Sequence, residues 1–122
     1  MWDSHAEMVR DLAKPGGKIL QNLWVARVDL WHAATGICTE AGELLSSIKA
    51  LVIYNRVLNR AHAVEELGDI EFYMEQFRQN IGITREETIE ANMRKLATRY
   101  RDGYSDSAAN ERADKPPDAP KT

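Results

Sequence analysis

Two acidic pairs hold most of the chemistry this chain offers. Glu40 and Glu43 stand at i,i+3, and Glu66 and Asp69 repeat that spacing after the 22 intervening residues 44–65. On a helix this spacing puts both carboxylates of a pair on one face. Two such faces turned toward each other gather four negative charges, which repel and raise one another's pKa values. A hard divalent cation relieves the repulsion, and an all-oxygen set suits Mg²⁺ or Mn²⁺ better than zinc. The ordinary fate of a glutamate is a solvated helix face. Here Ala41, Leu44, Leu67 and Ile70 flank the acids at positions that must pack. Gly42 and Gly68 sit inside the pairs at a cost of about 1 kcal/mol each in a helix interior, which asks for a reason such as close helix approach. Glu65, four residues before Asp69, is a further ligand or a support for one.

A second set is cationic. Asn92, Lys95 and Arg99 fall at i, i+3 and i+7, one face of a helix. An amide with one point charge and one guanidinium fork suits a polyphosphate. Lys49 is a further cation on the first acidic helix, and His32 is either a helix-end histidine or a pocket residue. Trp24, Trp31 and Tyr73 read as core, with one of them a candidate to stack on a base. Cys38, the single cysteine, reads as a buried small hydrophobe.

Positioning these groups requires helices. Residues 2–13 suit a short helix capped by Asp3 or Ser4, broken at Lys14-Pro15-Gly16-Gly17. A second helix is expected over Ile19 to Ala34, interrupted or bent at Thr35-Gly36, with a third over Ile37 to Val52. Tyr54 to Arg60 reads as a loop. Helix four spans His62 to Ile81, with Leu67, Ile70, Tyr73, Met74 and Phe77 inward and Gly82 as its C-cap. Thr84-Arg85-Glu86-Glu87 fits a capping box opening helix five, Arg85 to Arg101. From Asp114 to Lys121 the composition builds no core, so residues 113–122 are expected to be a flexible, disordered tail. The fold class is all-α: an antiparallel four-helix-bundle core of helices two to five, with a short extra N-terminal helix, in one domain over residues 1–112.

Length and composition agree. A chain of 122 residues suits one domain and buries roughly two-thirds of its unfolded surface. A net charge of −3 with 16 dispersed Lys and Arg gives no reason to expect nucleic-acid binding. No apolar run reaches membrane-spanning length, the first 30 residues lack a signal-peptide layout, and one cysteine builds no disulfide framework. A reducing cytoplasm is the expected compartment.

In their order, these residues resemble the MazG-like, all-α nucleoside triphosphate pyrophosphohydrolases, a family marked by E-x-x-E followed by E-x-x-D. The run from His32 to Leu45 looks like the first metal helix of small, often phage-borne members. Glu65-Glu66-Leu67-Gly68-Asp69-Ile70 looks like the second. Ala91-Asn92-Met93-Arg94-Lys95-Leu96 with Arg99-Tyr100 resembles the family's asparagine-lysine-leucine-arginine-tyrosine helix, and the likeness covers residues 30 to 112. Tyr104 through Arg112 is similar to a tail segment of small relatives, which either folds over a site or is a loose end. The departures are Ser46 and Asn59, where relatives often have aspartate, and Ile53 and Asn55 in place of an aromatic and a glycine. They bear on substrate choice more than on the metal site.

The resemblance implies hydrolysis of a (d)NTP to the monophosphate and pyrophosphate, serving nucleotide-pool control or clean-up. It implies Mg²⁺ on Glu40, Glu43, Glu66 and Asp69, with one acid assisting as base. Lys49, Asn92, Lys95, Arg99 and His32 would face the substrate, in a homodimer or homotetramer. Two other classes are weighed against it. A di-iron carboxylate bundle needs Glu-x-x-His twice, but Ser46 and Phe72 stand where histidine would follow Glu43 and Asp69. A non-catalytic interaction protein would keep the bundle without turnover.

Overall fold

The computed structural model describes residues 1–117, which are helical with no strand among them. Six helices follow one another: α1 (His5–Leu12), α2 (Gly16–Leu20), α3 (Val25–Ile53), α4 (Arg60–Ile81), α5 (Arg85–Arg99) and α6 (Asp106–Glu111). None among the described residues is long and apolar enough to cross a membrane. The chain divides into two compact units, one from Met1 to Asn80 and one from Ile81 onward.

The first unit is built on α3 and α4. Ser4 caps α1 by accepting from the Glu7 amide, as the sequence suggests. The Pro15 break holds, although Gly16–Leu20 then forms one short helical segment. The expected interruption at Thr35-Gly36 does not occur, and α3 runs unbroken for 29 residues. Gly36 is a contact site and not a breaker: a Cβ there would collide with the Tyr73 ring. The missing side chain lets α4 lay an aromatic ring directly on the α3 backbone. His32 meets the same ring edge-on at 5.9 Å. Gly36 faces Tyr73 while Glu40 faces Glu66 and Asp69, so α3 and α4 run antiparallel. Because expected helices two and three are one helix, the expected bundle of four helices is not found among the described residues. The elements it was drawn from are α3, α4 and α5.

Asn55 has φ +50°, the left-handed region where glycine is favoured and asparagine is the best-tolerated substitute. Asn59 receives the His62 amide on its side chain at 3.1 Å, as an aspartate cap would. At the far end, Gly82 closes α4 with φ +71°.

The second unit opens with the expected capping box, Thr84 and Glu87 exchanging bonds of 3.1 and 2.8 Å. The helix it opens, α5, ends two residues earlier than expected, at Arg99. Ser105 then caps α6, so the segment from Tyr104 to Arg112 is ordered rather than loose. The expected tail is not free at its start. Asp114 accepts from Arg99 Nε at 2.7 Å and from Nη2 at 3.2 Å. Residues 118–122, including the rest of the expected tail, lie outside the described residues.

Packing is thin around the helices of the first unit. Trp24 and Trp31, expected in the core, are 53% and 64% exposed, and Trp24 instead stacks on the Arg27 guanidinium. Cys38 is exposed rather than buried. Leu67, expected inward, is half-exposed. Arg78, by contrast, is buried on α4 and pairs with Glu75 at 3.0 Å and Glu71 at 3.6 Å.

Gly42 and Gly68 have open space where a Cβ would go, so the close approach expected of them is absent and nothing in the structure explains them. The three glycines therefore separate in a melting experiment. Gly42→Ala and Gly68→Ala raise stability by up to about 1 kcal/mol each through helix propensity. Gly36→Ala lowers it by about 1–3 kcal/mol, because the Tyr73 ring must move. Equal effects at all three positions would contradict the role of Gly36.

Candidate metal centre

Glu40 on α3 and Glu66 and Asp69 on α4 each direct a carboxylate oxygen to one point, with those oxygens all within 4.8 Å of one another. Helix periodicity does this locally: Glu66 and Asp69 share a face at i,i+3, and Glu40 lies one turn beyond Gly36, where the two helices touch. Glu43 is not among the three. It is exposed, but its charge contributes to the state of Glu40. Partial burial first, then the charges of Asp69, Glu66 and Glu43, hold the Glu40 carboxyl above its ordinary range.

Glu66 distinguishes this cluster from a solvated acidic face. It is only 7% exposed. Its Oε1 lies 3.2 Å from His62 Nε2, while its buried Oε2 has no hydrogen-bond partner among the described residues. A buried carboxylate oxygen without a partner costs free energy, and a cation held between Glu40, Glu66 and Asp69 would supply the missing one. The donor set is oxygen only, three carboxylates from two helices with the remaining positions open. The residues thus fit a hard divalent cation.

The other expected site residues are distributed more widely. Lys49 places its ammonium 6.0 Å from the Tyr54 ring centroid. It stands nine residues past Glu40, about 13 Å along the α3 axis. His32 is engaged edge-on with Tyr73. Asn92, exposed, and Lys95, half-buried, lie with Arg99 on α5 of the second unit. Arg99 is bound in a fork to Asp114, which raises the guanidinium pKa further and holds Asp114 below the usual carboxylate range. Glu65 points its carboxylate toward His62 Nδ1 at 3.9 Å and is not among the three clustered acids. Sequence reasoning missed His62 and Asp114. The i,i+4 step from His62 to Glu66 was a readable signal; the fifteen-residue step from Arg99 to Asp114 was not.

The arrangement is an acidic cluster between two antiparallel helices that could hold a metal ion. Comparison of the chain with protein-family models, with curated proteins and with solved structures finds no match.

The raised pKa of Glu40 makes the site a measurable cost. Its folded value lies above the 4.5 of the free side chain, so the folded state binds the extra proton. Stability therefore falls as pH rises through the window between those two values, and the full cost is present above it. Glu40→Gln should raise the melting temperature of the metal-free protein at pH 7, with the gain vanishing below pH 4.5. Mn²⁺ at a hundred times its Kd should add about 2.7 kcal/mol to the wild type and much less to the variant. A variant less stable than wild type at pH 7 without metal would contradict the electrostatic account.

Proposed function

We propose that the protein is a Mg²⁺-dependent nucleoside triphosphate pyrophosphohydrolase of the MazG-like kind, acting at the α–β phosphate bond. The observation that carries this is the convergence of Glu40, Glu66 and Asp69 from two helices, with the partnerless buried Oε2 of Glu66 among them. Those residues occupy the E-x-x-E and E-x-x-D positions on which the resemblance rests.

A divalent cation bound there would neutralise phosphate charge and orient the triphosphate. The chain's own residues do the rest. Water adds across the α–β anhydride, the bridging P–O bond breaks, and the leaving group is pyrophosphate. Glu43, exposed and outside the three-oxygen cluster, takes the proton from the attacking water. Asn92 and Lys95, the amide and ammonium that the resemblance implies for the phosphates, lie on α5 of the second unit with Arg99, which is forked to Asp114. Mg²⁺ is the natural occupant and Mn²⁺ its substitute, since both take oxygen ligands. The role is removal of surplus or unwanted nucleotides in the cytoplasm, with no nucleic-acid or membrane partner.

The decisive assay incubates a panel of standard and modified (d)NTPs with and without Mg²⁺ and resolves the products. Monophosphate and pyrophosphate are expected, lost by more than about 100-fold in Glu66→Gln, beyond the usual effect of losing only an outer partner. Diphosphate and phosphate would assign a different reaction, and no product from any nucleotide would favour the non-catalytic interaction protein.

The active form is a homodimer or homotetramer. Along α3 the only buried residues are Ala33 and Gly36, and Trp31, Leu45 and Val52 on α3 with Val64 and Phe72 on α4 stay largely exposed. A solvated protein rarely leaves that much large apolar surface uncovered. Light scattering after gel filtration should return two or four times the 13.8 kDa chain mass, and a monomer at micromolar concentration would overturn this assignment.

A further inference from the structure

We infer that His62 is a positioning residue that fixes the Glu66 carboxylate for a divalent cation. This deepens the metal-site reading above and rests on it. His62 stands one turn before Glu66 on α4, on the same face. Its backbone is anchored by the Asn59 side chain, which takes the His62 amide at 3.1 Å. Its ring lies between two carboxylates, Nε2 at 3.2 Å from Glu66 Oε1 and Nδ1 at 3.9 Å from Glu65 Oε2. The two oxygens of Glu66 are thereby made unequal. Oε1 has the imidazole, while Oε2 is buried with no partner, and Glu66 reaches the point shared with Glu40 and Asp69.

An untethered glutamate has rotatable torsions and, among like charges, would turn away from Glu40 and Asp69. Holding one oxygen with a ring nitrogen removes that freedom before the cation arrives, so less ordering is paid on binding. Ligating groups are commonly held in this way by an outer partner, whose loss costs 10–100-fold in metal affinity. The histidine is not itself one of the three converging residues, and at 42% side-chain exposure its replacement removes little packing.

The test is Mn²⁺ binding, read by the free-ion electron paramagnetic resonance signal at pH 8, for the intact protein and for His62→Leu, His62→Gln and Glu66→Gln. Melting temperatures of the metal-free proteins are measured alongside. Glu66→Gln should abolish binding. His62→Leu should weaken it about 10–100-fold with little change in metal-free melting, and His62→Gln, which keeps an N–H donor, should recover most of the loss. Equal affinity in wild type and His62→Leu overturns the role of His62 while leaving the metal site intact. Equal loss in Leu and Gln variants together with a fall in metal-free melting reduces His62 to packing and also overturns it. A wild type that binds no Mn²⁺ overturns the metal-site reading itself, whatever the variants do.

Discussion

The contact between the Tyr73 ring and the Gly36 backbone sets the spacing on which the candidate site depends. It fixes how near α3 and α4 run at one point, and the acids are measured from there. Glu40 is one turn along α3 from Gly36, and Asp69 is one turn along α4 from Tyr73 in the opposite chain direction. Antiparallel packing therefore brings Glu40 and Asp69 level, and Glu66 follows one turn further. A side chain at position 36 would collide with the Tyr73 ring and force it to move.

That closeness is electrostatically unfavourable, and the molecule tolerates it unevenly. Asp69 is exposed, where water screens it, and Glu40 is half-buried. Glu66 is buried, with one oxygen against His62 and one without a partner. The cost thus falls on Glu40, whose carboxyl is held above its ordinary range, and on the partnerless buried oxygen of Glu66. Functional sites are where such local costs persist, because their removal would also remove the ligand's reason to bind.

Much of this was legible in the sequence. The capping box at Thr84, the Ser4 cap and the Gly82 stop are local signals, and each is realised; of the two acidic i,i+3 pairs, Glu66 and Asp69 converge with Glu40 while Glu43 stays outside. What failed depends on distant residues. Gly36 reads as a helix breaker until Tyr73, 37 positions away, is placed on it. Gly42 and Gly68 read as contact glycines and face open space. Trp24 and Trp31 read as core because their spacing is helical, yet periodicity names a face without saying what covers it. Arg99 reads as an open cation because its partner, Asp114, lies in a stretch whose proline-rich composition suggests disorder.

The Arg99–Asp114 pair gives the second unit a property of its own. A guanidinium offers a carboxylate two bidentate edges, and Asp114 fills the one formed by Arg99 Nε and Nη2. An anion taking that edge would first displace Asp114, so its affinity there and the Arg99–Asp114 pair would draw on the same free energy. By reciprocity, whatever strengthens the pair would lower that affinity by the same factor. Asp114 is in that sense a carboxylate competitor covalently attached at a fixed local concentration.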